Sequence, residues 1–185
     1  MSVVGVRNIG DDVAQALPHK YNGQALTLLG DKGRFVLPPE FRNTVKLSSE
    51  GRTLCLLKDE EFDCLVGFGL SREDDFEAML DREEDRAIRL GRDFSRLKRS
   101  NQLYGYKKIP FDDSGRFTMP DYLISLGKIT DALYFQGAGS SFTIWSPEVL
   151  ACQDDGWASA KAACADMMAE AAAKAKRAKA GGKGK

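Results

Sequence analysis

Gly30-Asp31-Lys32-Gly33-Arg34-Phe35-Val36-Leu37-Pro38 and Asp112-Asp113-Ser114-Gly115-Arg116-Phe117-Thr118-Met119-Pro120 are two writings of one pattern. Their Gly-Arg-Phe cores begin at 33 and 115, an offset of 82 residues, and an apolar or aromatic run precedes each. A repeat of this kind is an internal duplication, and it sets the frame for the rest of the chain. Downstream of the two copies, Thr53-Leu54-Cys55-Leu56-Leu57 and Ala132-Leu133-Tyr134-Phe135 read as strands. Cys64-Leu65-Val66-Gly67-Phe68 and Phe142-Thr143-Ile144-Trp145 follow as their partners.

Each half therefore reads as strand, glycine turn, strand, proline, short helix, strand, turn, strand. The proline after the second strand suits a strand exit, because proline cannot donate to a ladder. The helical stretches, Pro39 to Arg42 and Asp121 to Leu126, are too short to stand without packing on a sheet. Four short strands leave open edges, so each half needs its twin or another subunit to complete a barrel.

Between the halves, residues 71 to 99 are rich in charge, with an imperfect helical stripe that Glu83 and Glu84 interrupt. Two helices are predicted, the first opened by a capping box from Ser71 to Asp74. Arg82, Arg86, Arg89 and Arg92 alternate with acids at helical spacing, which predicts a solvated face laced with ion pairs. After Pro147 an Ala-rich helix carries Trp157, Met167 and Met168, the methionines serving to pack it, and the chain then runs into Lys/Ala/Gly repeats. The expected segments are an N-terminal extension (1–20), a first repeat (21–70), a helical connector (71–103), a second repeat (104–148), an Ala-rich helix (149–172) and a basic disordered tail (173–185). The fold class is α+β, mainly β.

The 27 basic and 27 acidic residues balance, but 171 to 185 carry six basic residues and no acid, so a basic tail follows a mildly acidic body. Such a tail either contacts a polyanion or simply solubilises. Cys55, Cys64, Cys152 and Cys164 form no CxxC pair and His19 is the lone histidine, which argues against a metal site and against cysteine-histidine catalysis. They read as small buried thiols in a reducing compartment. Acids at 11 and 12 interrupt the N-terminal apolar run and no window offers 18 apolar residues, so a cytoplasmic chain with no membrane partner is expected. Adjacent acids such as Asp112-Asp113 make a poor catalytic pair and no phosphate-cradling glycine motif is present, so neither catalytic residues nor a cofactor are expected.

The chemistry sits in the duplicated turns. Glycine reaches positive φ without penalty, and the arginine after it is held at the root of a hairpin. Gly33 and Gly115 shape the turns. Asp112 lies four residues before Arg116 and can orient its guanidinium, whereas position 30 is glycine and the acid has moved to Asp31. Arginine presents a rigid fork of donors that fits a phosphate or the O6/N7 edge of guanine. Lys32 adds a phosphate-binding charge, and Ser114 occupies the matching position of the second copy. Each turn taken alone also serves as an ordinary hairpin with its arginine neutralising nearby acids. Two copies on one surface suit a ligand that itself repeats, such as double-stranded DNA.

The residues resemble the MraZ transcriptional regulators, within the SpoVT/AbrB-like swapped-hairpin class. The resemblance runs from about Tyr21 to Pro147. It rests on Gly23-Gln24-Ala25-Leu26, the segment Asp31 to Pro38, Phe41-Arg42, then Pro110-Phe111 into Asp112 to Arg116 and Pro120. The family turn is Asp-x-x-x-Arg, which Asp112 and Arg116 match and the first copy does not. The resemblance implies a duplicated AbrB-like double-split barrel with intervening and C-terminal helices, assembled as a ring-shaped homo-oligomer. It further implies nucleoid association and binding to short G-rich direct repeats upstream of the division and cell-wall gene cluster, usually repressing it. On this reading Lys32, Arg34, Ser114 and Arg116 contact DNA, while Gly33, Gly115, Asp31 and Asp112 shape and orient the turns. The competing reading is an assembly protein that touches DNA nonspecifically through its basic tail.

Overall fold

A computed structural model describes residues 19 to 181. Most of the N-terminal extension and the last four residues of the tail lie outside the described residues. The strands are β1 (Gln24–Leu28), β2 (Phe35–Val36), β3 (Thr53–Lys58), β4 (Leu65–Phe68), β5 (Lys107–Pro110), β6 (Arg116–Phe117), β7 (Ala132–Gly137) and β8 (Phe142–Trp145). The helices are α1 (Pro39–Ser48), α2 (Phe76–Arg89), α3 (Arg96–Tyr104), α4 (Asp121–Leu126), α5 (Pro147–Ala151) and α6 (Ala158–Gly181).

The six longer strands form one antiparallel sheet in the order β1-β7-β8-β4-β3-β5, and β2 pairs with β6 in a separate two-stranded ribbon. Exchanging the halves of the chain maps this arrangement onto itself. The offset falls from 82 residues at the turns to 79 between Thr53 and Ala132 and 77 between Leu65 and Phe142, and with those offsets the registers coincide. Leu28 opposite Ala132 corresponds to Pro110 opposite Thr53, and Cys55 opposite Phe68 to Tyr134 opposite Trp145. Phe35 opposite Phe117 and Val66 opposite Thr143 map onto themselves. An approximate twofold axis therefore passes through those two pairs. Each half gives its first strand away, since β1 adds to β7 of the second half and β5 to β3 of the first.

Strand alternation gives the sheet two buried faces. Leu54, Leu56, Leu65, Leu133, Phe135 and Ile144 face the ribbon and the short helices, where they meet Phe35, Leu37, Phe41, Phe117, Met119 and Leu123. On the other face the halves are covered by different helices. Phe68, Phe76, Leu80 and Leu103 seat α2 and α3, while Tyr134, Trp145, Leu150 and Cys164 seat α5 and α6 with Trp157, Met167 and Met168.

Several sequence expectations change. The chain is α+β, but not mainly β: α6 alone holds 24 residues, while no strand exceeds six, because the connector and C-terminal region are helical throughout. Glu83 and Glu84 do not divide the connector. Both lie within α2, and the break comes after it, where Gly91 takes a φ of 61°. Ser71 falls in a 3-10 stretch ahead of α2 with no side-chain cap, so the capping box does not form. The Ala-rich helix is two helices rather than one, parted between Cys152 and Trp157, and α6 carries on through 173 to 181 where a disordered tail was expected. Alanine, lysine and arginine are all strong helix formers, and nothing interrupts them before Gly181.

The connector's ion pairs also differ from the pattern expected. Arg82, Arg86, Arg89 and Arg92 make none among the described residues. Instead, Arg96 of α3 reaches Glu77, Asp81 and Glu84 at 2.8–2.9 Å and Arg99 reaches Glu83 at 2.7 Å. Cys55, Cys64 and Cys164 are buried, with thiols pushed up to about 12, 12 and 11 by desolvation, while Cys152 is exposed and departs from the expectation of a buried thiol.

Candidate nucleic-acid interface

The two Gly-Arg turns are not hairpins in the simple sense expected. Each begins on a strand of the large sheet and ends on a strand of the ribbon, so its flanking strands belong to different sheets. A backbone hydrogen bond still closes each turn, from Gly30 N to Arg34 O (2.9 Å) and from Asp112 N to Arg116 O (3.0 Å). The ribbon then decides where the arginines go. Phe35 faces Phe117 and Val36 faces Arg116, and Leu37 N donates to Gly115 O at 2.8 Å, continuing the pairing. By alternation, Phe35, Leu37, Phe117 and Met119 form the ribbon's inner face and are buried in the core. Arg34, Val36, Arg116 and Thr118 form its outer face. The turns flank this short ladder at opposite ends.

In the second turn Asp112 acts as a brace. Its Oδ1 accepts from Ser114 N and Arg116 N, both at 2.9 Å, its carbonyl accepts from Gly115 N at 2.8 Å, and its Oδ2 lies 3.8 Å from Arg116 Nη1. These backbone donors, with the Arg116 and Arg34 charges, hold the Asp112 carboxyl below the usual carboxylate range. Gly115 has a φ of 83°, and a Cβ there would lie 2.7 Å from Leu37 O and 2.9 Å from Arg42 Nη1.

The first turn lacks the brace because Gly30 stands where the aspartate would be. The Asp31 side chain makes no hydrogen bond or ion pair among the described residues, so it does not take over that role. Gly33 has a φ of 67° with open space around it, and Lys32 itself sits at φ 62°, a left-handed conformation that is costly for a residue with a side chain. Lys32 is exposed, as is Ser114 at the matching position of the second copy. Arg34 is half-buried, with its Nε lacking a partner among the described residues.

Two further cations join the second turn that spacing did not identify as site residues. Arg42, from α1, donates to Asp113 O at 3.5 Å, and Arg52, ahead of β3, forms an ion pair with the Asp113 carboxylate. Arg42 was visible only as part of the resemblance, and nothing local marked Arg52. Their counterparts beside the first turn are Ile124 and Asp131, whose carbonyl takes the Leu29 N–H at 2.6 Å. The greater basicity that Lys32 gives the first copy in sequence is thus offset in space by arginines gathered at the second.

The brace carries a pH signature. A carboxyl with a depressed folded pKa stabilises the fold above its unfolded pKa, about 3.9, and that stabilisation is lost as pH falls through the lower folded value. Asp112→Asn retains an acceptor but removes the charge. The variant is expected to be less stable than the parent in urea at neutral pH, with the gap closing as pH is lowered below about 4. A gap that does not change with pH would remove the charge from the account.

No family model matches the chain. Over 120 residues it is 32% identical to the transcriptional regulator MraZ of Caulobacter vibrioides (strain NA1000 / CB15N), covering 65% of this chain and 72% of that relative. It is also 32% identical over 131 residues to the MraZ of Oleidesulfovibrio alaskensis, covering 70% and 83%. The chain belongs to the MraZ family of transcriptional regulators. A third MraZ, from Rhodospirillum rubrum, is 31% identical over 123 residues. No helix among the described residues is long and apolar enough to cross a membrane, and no group of three or more potential ligand residues suited to a metal occurs among them.

Proposed function

We propose that this MraZ-family chain is a sequence-specific DNA-binding repressor of the division and cell-wall gene cluster, reading short G-rich direct repeats through its two Gly-Arg turns. The observation that carries the reading is the ribbon's outer face. Arg34 and Arg116 emerge from the same side of a two-stranded element whose other side is core, so both guanidiniums are aimed by a rigid support. Arg34 and Arg116 read guanine edges or phosphates, and Lys32 and Ser114 hold the phosphate backbone. Gly33, Gly115 and Asp112 shape and orient the turns, and Asp31 lies beside them. Lys32 favours this reading because its left-handed backbone is a local expense that its exposed charge can justify.

In this proposal residues 21–70 and 104–148 are the two repeats of a duplicated AbrB-like double-split barrel, and 71–103 is the helical connector. Copies of the chain assemble into a ring, so that identical turns meet successive repeats and gain affinity by avidity. No catalytic step or cofactor enters. The test is footprinting of the full chain on DNA upstream of its own gene cluster. Evenly spaced protection over direct repeats is expected, and it should survive removal of residues 171 to 185. Protection without sequence preference, abolished by that truncation, would transfer the activity to the basic tail.

A further inference from the structure

On the face of the sheet away from the turns, a cavity of about 280 Å³ lies between the loop joining β3 to β4 and the α2–α3 layer. Its apolar wall includes Phe62, Val66, Phe76, Met79 and Leu103, and Arg72 and Arg99 reach it from the helical side. The rest of the lining is charged, with Lys58, Arg72 and Arg99 against Asp59, Glu60 and Glu61, so which of these are already engaged decides what the cavity can take.

The charges around it are unequally satisfied. Arg99 is bound to both carboxylate oxygens of Glu83, at 2.7 and 3.0 Å. Lys58 donates to the carbonyls of Asp59 and Phe62. The Asp59 carboxylate caps the loop, accepting from Glu61 N and Phe62 N at 2.9 Å, and Glu60 accepts from Gln102. Glu61 is exposed at the mouth. Of the lining cations among the described residues, only Arg72 is left over. Its side chain makes no hydrogen bond or ion pair among the described residues, and its Nε and Nη1 are buried. It rests over the Phe68 ring with 5.2 Å from guanidinium carbon to centroid. Burial works against the charged form of this arginine, and the nearby Asp75 charge offsets that only in part. An anion in the cavity would add negative charge beside the guanidinium and favour its charged form further.

We propose that this cavity binds a small organic anion, a carboxylate on a compact apolar body, with Arg72 as its charge partner and the Phe62–Phe76–Met79 wall holding the apolar part. The inference stands on Arg72 and the cavity alone and is independent of the DNA-binding reading.

The probe is benzoate, titrated calorimetrically into the full chain, with benzyl alcohol as its neutral counterpart and sodium chloride matching ionic strength. Benzoate is expected to bind at least about tenfold more tightly than benzyl alcohol, and Arg72→Gln to weaken benzoate by about tenfold or more. Glu61→Gln, which removes the nearest unengaged acid at the mouth, is expected to bind as tightly as the parent or tighter. Should Arg72→Gln fail to fold by circular dichroism, Met79→Trp decides, since it fills the cavity while leaving Arg72 in place and is expected to abolish binding. Equal affinity for benzoate and benzyl alcohol, benzoate binding unchanged in either the Arg72 or the Met79 variant, or no binding of benzoate to the parent would overturn the proposal.

Discussion

Replacing Arg34 and Arg116 together by alanine is expected to lower the affinity for operator DNA by about a hundredfold or more, while Arg86→Ala on α2 leaves it within about twofold. Each arginine that forks onto a guanine is worth about 1–3 kcal/mol, and the two project from one face of one ribbon. Arg86 makes a fair control because it is exposed, equally charged and unpaired among the described residues, yet sits on the connector. The single variants should differ from each other. Arg116 is braced by Asp112 and remains about half exposed, so its loss should mainly relax base preference. Arg34 has no such brace. Binding isotherms on an operator fragment and on a scrambled fragment, at two salt concentrations, separate base reading from phosphate contact. Equal losses for the double variant and Arg86→Ala would dismiss the turns as the reading surface.

Gly115→Ala is expected to destabilise the fold by ~2–5 kcal/mol, against ~1 kcal/mol for Gly33→Ala, as measured by chemical denaturation. Both positions have a left-handed backbone, so both alanines carry a conformational cost. They differ in what surrounds them. A methyl at 115 runs into Leu37 O and the Arg42 guanidinium, and the first of these is backbone held in the ribbon pairing, which cannot swing aside. A methyl at 33 meets nothing. Gly115→Ala should also shift Arg42 and so weaken DNA binding beyond its effect on stability, whereas Gly33→Ala should not. Similar destabilisation by the two substitutions would mean that the close approach at 115 does not govern the turn.

What the sequence made legible is what local chemistry determines. The glycine of each turn, the proline ending each ribbon strand and the alternation through Phe35 and Phe117 all depend on near neighbours. They placed the two turns, α4, the start of α1, which runs on to Ser48 beyond the expected Arg42, and the paired strands β3–β4 and β7–β8. Partner choice across the chain was not legible. Nothing near Gln24 states that β1 pairs with β7, and a turn flanked by two strands reads as a hairpin whether or not those strands pair with each other. Arg52 escaped for the same reason, since it meets Asp113 only because β3 and β5 are neighbours. Glu83 and Glu84 read as a break in sequence because they interrupt the apolar stripe. In the folded chain Glu84 binds Arg96 and Glu83 binds Arg99.

The coincidence of registers under exchange of halves has one more consequence. A polypeptide holding one such half could build the same sheet and ribbon as a dimer of identical subunits, each lending its first strand to the other. Joining the halves in one chain frees them from having to remain identical. Here the halves differ at the turns: one carries an aspartate clasp with Arg42 and Arg52 beside it, and the other has Gly30 in place of the clasp and a lysine at its tip. Around any symmetric assembly of such chains, two unlike contacts would alternate, which would give the assembly a direction along its ligand that a ring of identical halves could not have.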